Sequence, residues 1–129
     1  MTIEELFKND MSFKSVKLIS LDEGRLEMEA LVEECDTNPY GFAHGGYLFT
    51  LCDTAAGLIG YSLKSYVVTQ QANINYIRSA KKGDTLYIKG EALHDGRTSK
   101  VVRIDITDEN KRLYCSASFT LFPVKGTEG

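Results

Sequence analysis

Residues 38–57 read NPYGFAHGGYLFTLCDTAAG. From about Gly45 to Leu63 the alternation found elsewhere in the chain gives way to another period. Leu48, Leu51, Cys52, Ala55, Leu58 and Ile59 recur at helical spacing, and Phe49, Ala56 and Gly57 fill the opposite side with apolar or small groups. A helix that is apolar on nearly every side is one surrounded by protein. Asp53 stands in its middle. Burying a carboxylate without a partner is costly, and no lysine or arginine lies three or four positions away to pair with it along the helix. Aspartate is also a weak helix former. Either Asp53 faces solvent or bonds a backbone group, or it serves chemistry.

Outward from this helix the chain reads as strands. Val16, Leu18 and Ser20 alternate with Lys17, Ile19 and Leu21, and Asp22-Glu23-Gly24 turns the chain. Leu26, Met28, Ala30 and Val32 then alternate with Arg25, Glu27, Glu29 and Leu31, so the pair is a hairpin. Beyond the helix, residues 66–77, 85–93, 99–107 and 112–122 are rich in β-branched and aromatic types and are separated by short polar connectors. A further short helix is expected over residues 2–8, with Thr2 and Glu5 at capping-box spacing. The expected class is α+β: about six antiparallel strands curled around one long central helix, in a single domain spanning 1–129. A cupped sheet leaves an open face and edges, which a second copy of the chain covers well, so a homo-oligomer is expected.

Composition narrows the function. The chain is 43% hydrophobic and 26% charged with two prolines, which argues against disorder. A net charge of −3 and a pI near 5.4 give no global attraction for nucleic acid or an anionic membrane. No apolar run approaches the roughly 18 residues a membrane helix needs, and the first ten residues do not read as a signal peptide. Cys35, Cys52 and Cys115 lack metal-ligand spacing, and His44 and His94 lie far apart, so no metal site is expected. Reduced thiols fit a cytoplasmic protein.

His44-Gly45-Gly46 sits where a loop becomes a helix N-terminus. The first N–H groups of a helix have no internal acceptor, and the positive end of the helix dipole suits a developing oxyanion. Taken alone, two glycines there are explained as well by a tight turn.

The pattern N-x-x-G-x-x-H-G-G, formed by Asn38, Gly41, His44, Gly45 and Gly46 and followed by Asp53-Thr54-Ala55, resembles the hotdog-fold acyl-CoA thioesterases of the phenylacetate-degradation type, relatives of the 4-hydroxybenzoyl-CoA thioesterases. The resemblance extends through Asn73–Arg78 and Gly83-Asp84-Thr85. It implies a hotdog fold, hydrolysis of an aryl or short- to medium-chain acyl-CoA, and a site shared between two subunits of a homotetramer built as a dimer of dimers. By this resemblance Asp53 matches the general base or nucleophile, and Gly45 the residue whose N–H polarises the thioester carbonyl. His44 and Asn38 match residues that order the loop and approach the substrate. Where one branch has a hydroxyl one turn after its carboxylate this chain has Gly57, and Thr69 is the nearest match to a hydroxyl supplied from the following strand. Gly46, Arg78, Arg97, Thr98 and Ser99 are the substrate-binding candidates, Arg97 first among those for the CoA phosphates, with Lys81, Lys82 and Lys100 as further cations near strand ends. No cofactor is implied, because CoA is part of the substrate. Two other readings remain: a hotdog dehydratase or hydratase acting on a 3-hydroxyacyl or enoyl thioester, and a non-catalytic acyl-CoA binding protein.

Overall fold

Strand β1 (Val16–Asp22) and strand β2 (Arg25–Leu31) form the expected hairpin, closed by Gly24 at a positive φ of 78°. The computed structural model describes residues 15–124, so the helix expected over residues 2–8 lies outside the described residues. After a single 3-10 turn (Glu34–Asp36) the chain enters helix α1 (Gly45–Ser62), then β3 (Val67–Tyr76), β4 (Thr85–Asp95), β5 (Lys100–Thr107) and β6 (Leu113–Pro123). All pairings are antiparallel, in the order β1-β2-β4-β5-β6-β3. Strands β3 and β4 follow one another in sequence but are not neighbours. β3 pairs with β6 and forms one edge of the sheet.

The sheet wraps α1 because one face of nearly every strand is apolar. Leu26, Met28 and Ala30 of β2, Leu86 and Ile88 of β4, Val102, Ile104 and Ile106 of β5, and Cys115, Ala117, Phe119 and Leu121 of β6 are all buried. They meet Leu48, Leu51, Cys52, Ala55, Leu58 and Ile59 of the helix in one core. The helix is not covered on all sides, however. Gly46 and Thr50 are exposed, and Asp53 and Gly57 half-exposed. These four recur at i, i+4, i+7 and i+11, so they form one stripe along the helix.

Alternation is interrupted where a strand carries one extra residue. In β1 the register shifts between Leu18 and Ser20, so Ile19 bulges into solvent and Leu21, rather than Ser20, joins Val16 and Leu18 against the core. In β3 the shift falls between Thr69 and Gln71, with Gln70 as the extra residue. Each bulge switches which parity of residue faces inward.

Phe119 is fully buried at the middle of β6, and its ring lies 5.6 Å from that of Phe49 on the helix. Phe119→Ala should lower the unfolding free energy by about 3–5 kcal/mol in chemical denaturation. A loss below about 1 kcal/mol would mean that this contact does not hold helix to sheet.

Candidate active site

The residues expected to carry chemistry fall into two groups in one chain. The first surrounds the start of α1. Asn38 shapes the loop: its Oδ1 accepts the N–H groups of Tyr40 (2.9 Å) and Phe42 (3.1 Å), and its own N–H donates to the Phe42 carbonyl. The Ala43 N–H donates to the Ala80 carbonyl, which fastens the loop beside Arg78 and Ser79. His44 is the N-cap, in an extended conformation, and its carbonyl accepts the N–H groups of Tyr47 and Leu48. Its side chain caps nothing and is exposed. The N–H groups of Gly45 and Gly46 therefore open the helix with no intrahelical acceptor. Gly45, Leu48, Tyr76, Ile77 and Arg78 line a shallow pocket of about 270 Å³. On the other side of the helix start, His44, Gly46, Thr50 and Cys35 line another of about 370 Å³.

The second group lies further along the helix. Thr69 Oγ1 donates to Asp53 Oδ1 at 2.6 Å. No ion pair among the described residues includes Asp53. Among the described residues the carboxylate is thus held by a hydroxyl alone, half-exposed on the open stripe, with Oδ2 unengaged. Beside it at Gly57 an added Cβ would meet nothing within 4 Å. Cys52 is no rival nucleophile. It is buried in the core, and its hydrogen bond to Cys115, with burial, pushes the thiol far above its ordinary range.

Thr98 and Ser99 with Arg97 form the turn between β4 and β5. Register places this turn on the same half of the molecule as Asp53, since Asp95 pairs with Lys100, Lys100 with Leu121, and Leu121 with Thr69. Two strand spacings, about 10 Å, separate Lys100 from Thr69. Arg97 and Thr98 are exposed, Ser99 is half-buried, and the Ser99 carbonyl accepts the Gly96 N–H.

Three of the cations considered for phosphate binding have partners; Lys82 reaches Glu34 only at the surface, at 3.9 Å, while Arg78 and Lys100 are engaged in the frame. Arg78 donates to Asp108 Oδ2 at 2.7 Å and to the Arg112 carbonyl at 3.2 Å, and its guanidinium lies 4.1 Å above the Tyr114 ring. It fastens the segment after β3 to the β5–β6 turn, with its charge neutralised, although it borders the Gly45 pocket. The Asp108 carboxyl is held below its ordinary range by the N–H groups of Arg112 and Asn110 and by Arg78. Lys100, expected near a strand end as a loop cation, is buried on the inward face of β5 and pairs with Asp95 and the Gly96 carbonyl. It closes the turn that carries Arg97.

Sequence reasoning missed Tyr76. Its hydroxyl donates to the Gly45 carbonyl at 2.7 Å, and a Cβ added at Gly45 would lie 3.1 Å from its ring. Thr69 and Tyr76 are seven residues apart, so in a regular strand they would point to opposite faces. The bulge at Gln70 is what turns both toward the helix: Val67 and Thr69 face inward before it, Ala72, Ile74 and Tyr76 after it.

The sequence profile described as the thioesterase superfamily matches residues 40–115. A hypothetical thioesterase from Streptococcus pneumoniae, solved with coenzyme A, is 41% identical, covers 93% of this chain and 95% of its own, and superposes with a TM-score of 0.90. The chain belongs to the thioesterase superfamily. Its architecture is the hotdog fold. A Streptococcus mutans protein solved with acetyl-CoA is 43% identical over 88% of this chain and 92% of that one, with a TM-score of 0.85. The acyl-coenzyme A thioesterase PaaI of Escherichia coli is 29% identical over 83% of this chain and 78% of its own. The Streptococcus pneumoniae protein has also been solved with one aspartate, and separately one threonine, replaced by alanine.

Deleting Gln70 should turn either Thr69 or Tyr76 away from the helix and cut thioesterase activity at least about 100-fold, the scale of an ångström-sized misplacement. Gln70→Ala, which keeps the residue count, should leave activity within about twofold. Equal activity of the deletion and the substitution would show that the bulge has no part in the site.

Proposed function

We propose that the chain hydrolyses an acyl-CoA thioester to the free acid and CoA. The observation that carries the reading is the Asp53 carboxylate: unpaired with any cation among the described residues, half-exposed on an otherwise apolar helix, and oriented by Thr69 at 2.6 Å. In the Streptococcus pneumoniae relative the two alanine substitutions fall sixteen residues apart, the separation of Asp53 and Thr69 here, which supports giving these two residues the same importance.

Thr69 holds Oδ1, leaving Oδ2 to act. As a general base it takes a proton from water while the water oxygen attacks the thioester carbon. As a nucleophile it attacks that carbon itself, and water then cleaves the resulting anhydride. In either case charge develops on the carbonyl oxygen, the Gly45 N–H receives it, and the C–S bond breaks; in the base path the CoA sulfur takes the proton that Asp53 drew from water, and in the nucleophile path it leaves as a thiolate that solvent protonates. One aimed donor is worth about 10²–10³ in rate, and a positioned base about 10²–10⁴. His44 and Asn38 keep the donor loop in place, Gly46 lies against the substrate, and the exposed Arg97-Thr98-Ser99 turn offers one cation and two hydroxyls to the CoA phosphates.

The site takes parts from two chains. Eight residues of helix put Asp53 about 12 Å along the axis from Gly45, and one thioester carbon cannot reach both. The helix runs antiparallel to β3, with Gly45 against Tyr76 and Gly60 against Val67. β3 has an unpaired edge, and antiparallel pairing of that edge with its copy about Ala72 and Asn73 would bring Thr69 and Asp53 of one chain beside Tyr76 and Gly45 of the other. A dimer of dimers built on this pair is the assembly we propose.

A panel of aryl, short-chain and medium-chain acyl-CoAs, with thiol release followed by a colorimetric reagent, tests the activity and ranks the acyl groups. Asp53→Asn should lower kcat at least about 100-fold while leaving the melting temperature and oligomer size unchanged. Near-normal turnover by the folded variant would remove Asp53 from the chemistry.

A further inference from the structure

The start of α1 lacks the fastener most helices use. No side chain at His44 caps the helix, and the next two residues are glycines, the residues that give a backbone most freedom. Helix ends fray when nothing holds them. An oxyanion donor, in contrast, must be held within a fraction of an ångström to be of use.

Two hydroxyls occupy the carbonyls of this Gly-Gly step. Tyr76 donates to the Gly45 carbonyl at 2.7 Å across 31 residues of sequence, and Thr50 donates to the Gly46 carbonyl at 2.8 Å from one turn along the helix. Both carbonyls are therefore tied, while both N–H groups stay open among the described residues. Tyr76 also packs against Gly45: a Cβ there would lie 3.1 Å from the ring carbon that bears the hydroxyl and 3.2 Å from the hydroxyl oxygen. Burial pushes the phenol above its ordinary value, which favours the protonated, donating form. The bulge at Gln70 is what brings this ring to the inward face.

We infer that Tyr76 is a positioning residue: its hydroxyl fixes the peptide joining Gly45 to Gly46 and thereby aims the N–H groups at the start of α1. The Gly45 carbonyl and the Gly46 N–H belong to one rigid peptide plane. A hydrogen bond to that carbonyl sets the direction of the N–H and strengthens it as a donor, because hydrogen-bonded amides polarise one another. On the other side of Gly45, anchoring its carbonyl limits the rotation that would swing the Gly45 N–H away from a substrate carbonyl. The inference rests on the thioesterase reading for its catalytic consequence, but not for the bond itself.

The test is Tyr76→Phe, which keeps the ring and removes the donor, measured two ways. With the best acyl-CoA of the panel, kcat should fall about tenfold with KM within about twofold, and the melting temperature and oligomer size should match those of the unmodified protein. In ¹⁵N–¹H spectra the Gly46 amide proton should move upfield, and exchange of the Gly45 and Gly46 amides should quicken. An unmoved Gly46 amide together with unchanged kcat would overturn the inference. So would a loss of activity accompanied by a lowered melting temperature and a parallel rise in KM, since that is the pattern of general damage. If the unmodified protein hydrolyses no acyl-CoA, the functional reading fails on its own, and the amide spectrum still decides whether Tyr76 holds the Gly45–Gly46 peptide.

Discussion

A helix advances about 1.5 Å per residue and a strand about 3.3 Å, and the contact of α1 with β3 has to reconcile the two along its length. Gly45 meets Tyr76 at one end, Asp53 meets Thr69 further on, and Gly60 meets Val67 at the other end. A regular strand could not offer both Thr69 and Tyr76 to the helix. The extra residue at Gln70 solves that mismatch, and both hydrogen bonds between β3 side chains and the helix depend on it. Gly45 and Gly60 complete the fit: a Cβ at Gly60 would lie 2.6 Å from Val67, where something must shift, and one at Gly45 would lie 3.1 Å from the Tyr76 ring, which would have to give by a few tenths of an ångström.

This helix–strand contact separates the two chemical functions. The uncapped helix start, with its open N–H groups and positive dipole, lies at the Tyr76 end. The carboxylate lies more than two helical turns away, beyond the useful reach of that dipole. Had they been adjacent within one chain, the donor groups would have been drawn into capping the carboxylate instead of facing a substrate. In the proposed dimer, keeping them apart leaves the helix-start N–H groups of one chain and the second carboxylate oxygen of the other for a thioester bound between them. The polar groups that are satisfied internally serve the frame. Arg78 with Asp108 and Tyr114 fastens the segment after β3, and Lys100 with Asp95 closes the β4–β5 turn. A hollow of about 620 Å³ on the outer face of the sheet, among Arg25, Glu27, Lys89 and Glu91, lies on the side away from α1.

Much of the architecture was legible in the sequence, because hydrophobic period is a local property. The long helix, the first hairpin and the four later strands all appear near their expected limits. Strand order was not legible. β3 reaches past β4 to pair with β6, and nothing in local alternation encodes a partner forty residues away. The bulges at Ile19 and Gln70 were hidden for a related reason: one inserted residue looks like a lapse in pattern until the pairing is known. That lapse concealed Tyr76, whose importance depends on which face it points to. Asp53 was legible because a carboxylate without a neighbouring cation is conspicuous on an apolar helix, and Gly45 because two glycines follow a histidine at a helix start. The engagement of Arg78 and the burial of Lys100 depend on partners in other elements, and exposed loop cations look the same in sequence.

The division of the site between two chains is the claim from which the rest of the proposed chemistry follows. Mixing Asp53→Asn chains with Gly45→Pro chains tests it most directly. Proline removes the N–H and suits the first position of a helix, with the Tyr76 ring, 3.1 Å from the added Cβ, giving by a few tenths of an ångström. After subunit exchange, each mixed dimer would hold one site with both lesions and one with neither. With random pairing of equal amounts, roughly a quarter of the sites would be intact. The account predicts that the mixture regains activity near that fraction, while each parent alone stays inactive. A mixture shown to have exchanged subunits that remains as inactive as its parents would contradict it.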